Sequence, residues 1–560
     1  MGYNALMKIR RKSRAETNRS EQLLFAISML IEVYLALILC VYPFLMKVGY
    51  GETSFIKYNF LVGISYAFKI GPLPVPTFVP VTLVLAAVWF VTRAKEEKKS
   101  LWDAVRTVRL SLTEKAVLHY TLSLVLSSVV SSYKSELIWG YPGWNMGLAS
   151  QFLFVYLYFI CSRFFDPADL RFFTYASMAA SSGVFLIAIL QRLGMDVLHL
   201  YTDGINRVLF LSTIGQASWF SSYMILFVSL GAFLVWYVDK TNLLYKCGIA
   251  YLVTGSVCLV TQNTDSAYAG IFFALSVLFV CSFDSVKRMR RFLETALIIL
   301  LGFRLAGILR LMAKDRAILL DPLSEFMMNS AWIWLLIGII VLFYLWVRRM
   351  PDGKNPFDAG RLRAAGTVYV CALTAAVFLL ALYIVLNTGG HLPEALSSTR
   401  NYFYFNLSWG NGRGATLHDT VLSFLAQLGA EPMKGIFGAG ADQFYHVIQT
   451  YVSDWTSSMS SGVLTNAHNE WLTAFVNFGL SGGAVYLLIF LSAVVRGVRN
   501  RGDVPYAPAV SACVAAYLAH NLFCYQQYIC TPYVFIIMGV GETLLSRDRS
   551  LHGSDDVIRR

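Results

Sequence analysis

Long runs of apolar residues, separated by short polar or basic segments, repeat along the whole chain. Each run has roughly 17–25 residues, which is enough for one helix to cross a bilayer. The runs are continuously apolar rather than alternating, so they predict membrane helices and not the strands of a barrel. We expect about fourteen spans, at residues 22–46, 74–92, 116–133, 148–164, 172–191, 213–237, 247–262, 267–283, 293–312, 331–347, 366–387, 469–495, 506–526 and 531–546.

The predicted fold class is therefore an all-α polytopic membrane protein. The composition agrees, because 57% of the residues are hydrophobic and only 14% are charged, against about a quarter in soluble proteins. Residues 50–73 fit either an interfacial segment or an extension of the second span, since Lys57 and Lys69 interrupt them. Glu32 and Arg304 fall inside predicted spans, where ionisable groups are usually paired or functional, and they are candidates to pair with each other.

Basic residues cluster in alternate loops, which predicts the orientation of the helices. The clusters at residues 93–99, 287–291 and 496–501 would face the cytoplasm, whereas the intervening loops carry few cations. An even number of spans with both termini in the cytoplasm satisfies this pattern. The net charge of +13 follows the topology signal, and we expect no nucleic-acid partner.

One loop is far longer and more polar than the others, and it divides the chain. It covers residues 388–467 and would face outwards as a roof over the active site. Before it lie about eleven helices in residues 1–387, and after it the helices of residues 468–546 and a cytoplasmic tail at 547–560.

The long loop contains two amphipathic patterns. Residues 416–430 predict a helix that begins with a capping-box-like Thr416-x-x-Asp419 and has Leu417, Val421, Leu425 and Leu428 on one face. A second helix is predicted from Asp442, with apolar residues at helical spacing: Phe444, Ile448, Tyr451 and Trp455. We expect both helices to lie on the membrane surface and to roof a cavity.

The strongest candidate for chemistry is His468, in Asn466-Ala-His-Asn-Glu-Trp471 at the end of the long loop. We expect it in the first turn of a membrane helix, where the helix dipole disfavours a proton on the imidazole. A neutral histidine near pH 7 can act as a general base. The alternative is a histidine that caps the helix and bonds to a loop carbonyl.

Three arginines on the outer side are candidates for binding an anion. Arg413 and Arg400 lie in the long loop, and Arg207 lies on the approach to the sixth span. A guanidinium group pairs well with phosphate oxygens, although snorkelling or a salt bridge is the usual role of a lone arginine. Asp265 could contact substrate or water. The sequence has no metal-ligand motif of the HExxH type, so we expect no metal and no cofactor. Arginine would then have to neutralise the charge of a bound phosphate.

The chain resembles the O-antigen ligase and O-antigen polymerase superfamily of bacterial polysaccharide assembly in several ordered stretches. Asn466-Ala-His-Asn-Glu-Trp-Leu472, continued by Phe478-Gly-Leu-Ser-Gly-Gly483, is similar to the family's His-Asn helix and its trailing glycines. Asn411-Gly-Arg413 with Gly435-Ile-Phe-Gly-Ala-Gly440 resembles the family's Ser-Gly-Arg and Phe-Gly-x-Gly sequences. Thr213-Ile-Gly-Gln-Ala-Ser-Trp219 and the segment from His520 to Pro532 match more loosely. Asp265, Leu417 and Asn477 depart from the family's pattern.

The resemblance implies a metal-independent glycosyltransferase that polymerises undecaprenyl-pyrophosphate-linked oligosaccharide units at the outer face of the membrane. His468 would deprotonate the acceptor hydroxyl, while Arg413, Arg400 and Arg207 would bind the pyrophosphate. The alternatives are a ligase that uses a lipid A core or cell-wall acceptor, and a flippase or transporter of lipid-linked glycans. The resemblance further implies a multi-pass protein of the bacterial cytoplasmic (inner) membrane, with its site facing the periplasm or cell exterior. The implied partners are the lipid-linked oligosaccharide, membrane lipids and a chain-length regulator.

Overall fold

The computed structural model describes residues 18–46, 50–62, 78–201, 204–350, 359–400, 402–452 and 464–547. Trp455 and residues 63–73 and 548–560 lie outside the described residues. The described chain is predominantly helical, and its helices are α1 Arg19–Ala36, α2 Tyr50–Val62, α3 Phe78–Glu96, α4 Leu101–Thr107, α5 Leu112–Val130, α6 Leu148–Phe164, α7 Leu170–Arg192, α8 Gly204–Leu209, α9 Ala217–Tyr237, α10 Leu243–Thr261, α11 Ser266–Ser282, α12 Val286–Met312, α13 Pro322–Asn329, α14 Ala331–Arg348, α15 Ala359–Thr388, α16 Trp409–Ala430, α17 Pro432–Phe437, α18 Phe444–Tyr451, α19 Glu470–Arg499, α20 Ala507–His520 and α21 Thr531–Arg547. Short 3₁₀ and π-helical turns flank some of these helices, and β1 Phe210–Leu211 pairs antiparallel with β2 Gly215–Gln216.

Each of the predicted spans coincides with one of these helices. Within the described residues, nine helices are long and apolar enough to cross a membrane, and α6, α11, α20 and α21 are shorter apolar helices. The remaining predicted span, at 116–133, corresponds to α5. These helices confirm an all-α polytopic membrane protein, and α2 covers the first part of the ambiguous segment as a separate helix.

The helix α9 lies at the centre of the bundle, because it is apolar on all its faces and can be buried on all of them. In the most apolar 18-residue stretch of α9, 89% of the residues are buried. The corresponding share is 17% for α14 and 0% for α15. The latter two helices therefore form the edge of the bundle, where a membrane protein meets lipid. Packed around the centre are α10, α11, α12 and α20.

Glu32 and Arg304 do not form the ion pair for which the sequence made them candidates. Arg304 donates from Nη1 to the carbonyl of Ser330 at 3.3 Å, and its guanidinium lies 4.9 Å from the ring centroid of Trp334. Glu32 accepts from the hydroxyl of Ser28 at 3.3 Å. Arg304 is thus held by the connection between α13 and α14.

The loops at each end of the bundle contact one another. At one end, called here the His468 end, the Tyr402 hydroxyl donates to Asp265, and Asp442 accepts from the backbone N–H of Tyr141 at 2.8 Å. At the opposite end, called the Arg496 end, Arg496 Nη2 donates to Glu542 at 2.8 Å. These pairs join segments that the basic clusters predict to share a side.

The predicted span at 469–495 coincides with α19, and the structure adds a break in this helix at Gly479. This glycine has φ 69° and ψ −176°, which interrupts the helical hydrogen bonds. The carbonyl oxygens of Val476 and Asn477 instead accept from the N–H groups of Ala439 and Gly440, at 3.4 and 2.9 Å. The loop backbone thus replaces the bonds that the break removes.

The helix α16 starts before the predicted residue 416, and it buries its polar face rather than its apolar face. It begins at Trp409, so Thr416 lies within the helix and does not cap it. The side chain of Thr416 is buried. Ser423 and Gln427 are fully buried against neighbouring helices, whereas Val421 and Leu425 are 43% and 55% exposed. The predicted apolar face is therefore directed outwards, as it would be on a membrane surface. The second predicted loop helix is confirmed as α18.

Candidate functional site

His468 lies in a tight turn immediately before α19, and not in the first turn of the helix as predicted. Its backbone is left-handed, with φ 49°, and its N–H donates to Asn466 Oδ1 at 2.9 Å. Asn469 is the N-cap and accepts from the N–H of Leu472 at 3.0 Å. Because Asn469 performs the capping, the imidazole of His468 has no capping function.

The ring of His468 packs against Tyr525, with ring centroids 5.3 Å apart and an angle of 71°. The hydroxyl of Tyr525 donates to Gln216 Oε1 at 2.9 Å and accepts from Trp219 Nε1 at 3.0 Å. Trp144 packs on the other side of the tyrosine, with centroids 4.9 Å apart. These contacts hold the aromatic wall beside His468 between the β-hairpin and the loop after α20.

His468 is neutral at pH 7 for a different reason from the one predicted. Burial, and secondly the positive charge of Arg413, lower its pKa to about 4. Within the described residues, neither ring nitrogen forms a hydrogen bond. A neutral, half-buried imidazole with unoccupied nitrogens can accept a proton from a bound hydroxyl.

Arg413 lies near the start of α16, where Gly410 and Gly412 have positive φ values of 58° and 88°. Its half-buried guanidinium forms no hydrogen bond or ion pair with the described part of the chain. The charge of Arg413 acts on His468 and also on Asp265. An unpaired guanidinium within electrostatic range of a neutral imidazole has the chemistry to bind an anion.

The structure does not bring the other two predicted arginines to the same position. Arg400 is exposed on the connection before α16, and Arg207 is exposed on the short helix α8. Neither side chain forms a hydrogen bond or ion pair with another described residue. The carbonyl of Arg207 accepts from the buried Arg192 at 3.2 Å, so its backbone is fixed while its side chain can reach solvent.

Asp265 joins the site through Tyr402, whose hydroxyl donates to its carboxylate. Burial raises the pKa of Asp265, the nearby Asp321 carboxyl raises it further, and Tyr402 and Arg413 oppose this shift. Burial also raises the pKa of Tyr402, to about 12. The pair places a carboxyl group within the electrostatic range of Arg413.

Glu470 was inside the predicted motif, but its role was not predicted. Its buried carboxylate accepts from Tyr486 at 2.5 Å, from Tyr517 at 2.9 Å and from the side-chain amide of Asn521. Its own N–H donates to the carbonyl of Asn521 at 3.0 Å. This network fixes the first turn of α19 to α20, and it thereby positions His468 two residues earlier.

A second histidine, His520, lies fully buried at the end of α20. Its Nδ1 lies 2.6 Å from Asn521 Oδ1, and its Nε2 lies 2.7 Å from the hydroxyl of Ser221. Both ring nitrogens have partners, so His520 supports the Glu470 network and has no free nitrogen to accept a proton from a ligand. The sequence signal for these residues was the polar cluster from His520 to Pro532 in an otherwise apolar region.

An apolar groove with a volume of about 650 Å³ runs between α11, α15, α19 and α20. Its lining reaches from Arg499 at the Arg496 end to Trp471 and Leu522 at the His468 end. The carbonyl of Leu522 accepts from Asn469 Nδ2 at 3.0 Å, so the end of the groove adjoins the turn that holds His468. The groove can take an extended hydrocarbon chain whose polar head lies at the site.

No cluster of three or more histidine, cysteine, aspartate or glutamate side chains that could hold a metal ion occurs in the described part of the chain. No protein-family model matches the chain, and a search of curated proteins gives no match either.

Proposed function

We propose that the protein transfers an oligosaccharide from a polyprenyl pyrophosphate to a sugar hydroxyl, and that the acceptor is a second lipid-linked repeat unit. His468 takes the proton of the acceptor hydroxyl as its oxygen attacks the anomeric carbon. The bond from that carbon to the pyrophosphate breaks, and Arg413 stabilises the charge that develops on the leaving group. We assign the reaction to the outer face of the membrane, because the sparse cations of these loops favour that side.

The observation that carries the proposal is the pairing of an unbonded neutral imidazole with an unpaired guanidinium at a membrane boundary. His468 can accept a proton because its pKa lies at about 4 and its nitrogens are free of partners in the described structure. Arg413 can take a phosphate because its guanidinium forms no ion pair with a described carboxylate. Arg400 and Arg207 are exposed cations near the same end, and we assign them secondary contacts to the pyrophosphate or glycan.

The apolar groove supports a lipid-linked donor. A polyprenyl chain needs an apolar path from the bilayer to the reaction site, and the groove ends at Trp471 and Leu522 beside the His468 turn. The donor pyrophosphate would then lie where the apolar lining gives way to Arg413. A soluble sugar nucleotide would have no use for such a path.

The contact between two motifs supports the superfamily resemblance. The segment Gly438-Ala-Gly440 packs against the break at Gly479, through the N–H groups of Ala439 and Gly440. These segments belong to two of the stretches on which the resemblance was based.

A broken helix is also a feature of transporters, in which the freed backbone groups face a substrate cavity. Here the freed carbonyls of Val476 and Asn477 accept from the loop backbone, so they are not available to a ligand. This arrangement favours a catalyst over a flippase.

The test uses purified protein in lipid nanodiscs with a polyprenyl-pyrophosphate-linked oligosaccharide. We expect products that grow by whole repeat units and release of polyprenyl pyrophosphate. A single transfer to an added lipid A core or cell-wall acceptor, without chain growth, would instead establish the ligase. Donor that crosses the bilayer without any new glycosidic bond would overturn the enzyme proposal in favour of transport.

A further inference from the structure

A second polar cleft opens at the Arg496 end, away from His468. It has a volume of about 560 Å³ and lies between the α9–α10 connection, the start of α12 and the end of α14. The cations that line it are Lys240, Lys287, Arg290, Arg291 and Arg348. Asp239 and Glu294 are the carboxylates of the lining, so the cleft has a net charge of +3.

The carboxylates of the cleft are already engaged. Glu294 accepts from Lys240 at 2.6 Å, from Tyr344 at 3.0 Å and from Arg291 at 3.4 Å. Asp239 pairs with Lys287 at 3.0 Å, but their side chains are 59% and 63% exposed, and an ion pair so exposed is weak. The two carboxylates offset only two of the five cations, so the cleft keeps its net charge of +3.

The cations of the cleft differ in the contacts that their side chains form. Arg291 donates to the carbonyl of Val238 at the end of α9 and stacks 4.2 Å from the ring centroid of Tyr245, so it has a structural role. Lys240 is 57% exposed, and Arg348 is exposed and has no ion pair within the described residues. A topology signal explains cations at this end, but it does not require that they converge on one cleft.

Apolar side chains flank the cleft on the lipid-facing edge of the bundle. Leu243, at the start of α10, is 63% exposed, and Val341 and Leu345, which lie at helical spacing with Tyr344 and Arg348 on α14, are 36% and 45% exposed. A ligand that fits both features has an anionic head and hydrocarbon tails. A free phosphate would use the cations and leave the apolar flank unused.

We infer that this cleft binds the phosphate headgroup of an anionic phospholipid, with Lys240, Lys287 and Arg348 as its cationic contacts. Basic clefts between membrane helices are suited to such headgroups, because each cation near the surface contributes to the attraction. The site is separate from the proposed catalytic site, and it does not depend on the glycosyltransferase function.

The test is a native mass spectrometry titration of the purified full chain with phosphatidylglycerol, phosphatidylcholine of the same acyl chains, and inorganic phosphate. The cleft variant is Lys240→Gln/Lys287→Gln/Arg348→Gln. Its matched control is Arg106→Gln/Lys115→Gln/Lys246→Gln, which removes three exposed cations that lie outside the cleft. The single variant Arg348→Gln breaks no ion pair of the described structure and reports on the cleft if the triple variant does not fold.

We expect wild type and control to prefer phosphatidylglycerol over phosphatidylcholine, and the cleft variant to bind phosphatidylglycerol roughly tenfold more weakly or worse. Arg348→Gln should show a smaller loss in the same direction. Equal binding of the two lipids by wild type, or equal loss in cleft variant and control, would overturn the inference. Binding of inorganic phosphate as tight as that of the lipid would also overturn it, since the ligand would then be a soluble anion.

Discussion

Gly438 and Gly479 pack against each other at the break in α19 with no space for a methyl group on either. A Cβ on Gly438 would lie 2.2 Å from the carbonyl oxygen of Asn477, and one on Gly479 would lie 2.5 Å from the N of Gly438. Both glycines also have positive φ, 99° and 69°. The long loop and the His468 helix are therefore joined by backbone contacts that only glycine permits.

Gly479→Ala is expected to destabilise the protein by about 2 kcal/mol or more, because the change adds both a backbone clash and an unfavourable φ. The measurement is thermal unfolding of the purified protein. Gly338→Ala is the matched control, since a Cβ there meets nothing within 4 Å and the site lies in the helix α14. Equal melting temperatures of the two variants would contradict the contact between the two glycines.

His468→Ala is expected to reduce glycan transfer about 10²- to 10⁴-fold, the usual effect of losing a general base. Protein yield and thermal stability should change little, because no described residue bonds to its ring. His418→Ala is the control, since His418 is exposed on the same loop. Wild-type transfer by the His468 variant would exclude it as the base.

Arg413→Gln is expected to raise the pKa of His468 above about 4, because it removes the charge that helps to lower it. The pH profile of kcat/KM should then fall on its acid side at a higher pH than in wild type. Titration of the His468 ring by NMR gives the same comparison without substrate, with the exposed Arg400→Gln as control. The same His468 pKa in both variants would place Arg413 outside the site.

The raised pKa of Asp442 predicts that the stability of the protein depends on pH. Burial raises its pKa from 3.8 to about 8, although the N–H groups of Tyr141 and Met146 oppose the shift. Between these values the unfolded chain binds fewer protons than the folded one, so this residue makes the free energy of unfolding fall as pH rises.

Asp442→Asn should remove that contribution. The amide oxygen of asparagine can still accept both N–H groups, but the amide does not titrate between pH 4 and pH 8. Melting temperatures of wild type and variant at pH 5 and pH 8 check this. The exposed Asp315→Asn is the control. The idea fails if Asp442→Asn keeps the full wild-type pH dependence.

The outward apolar face of α16 is expected to be in contact with lipid. In native membranes, Leu425→Cys should react with an apolar maleimide and be protected from a charged one, whereas Ser397→Cys, exposed on the connection before α16, should react with both. The exposed native Cys371 is first replaced by serine. Equal rates of both cysteines with the charged reagent would show that α16 stands in water.

The helical framework was predictable because long apolar runs have one stable form in a bilayer. The α19 break was not, since it depends on Ala439 and Gly440 from a distant loop. The amphipathic pattern of α16 was predictable, but the burial of its polar residues Ser423 and Gln427 was not, since it depends on the helices packed against them. His468 was predicted in the first turn of the helix but lies in the turn before it, because its left-handed backbone and the bond from its N–H to Asn466 are local features that no periodicity reveals. Whether Arg400 and Arg207 act with Arg413 stays a prediction.

The two faces of α16 have a consequence for the host membrane. Its polar side is fixed to the protein, while its apolar side would follow the level of the hydrocarbon boundary. Arg413 is on this helix, whereas His468 is on the separately anchored turn before α19. The thickness of the bilayer would then act on the distance between the two groups, so we expect this distance to depend on the length of the acyl chains.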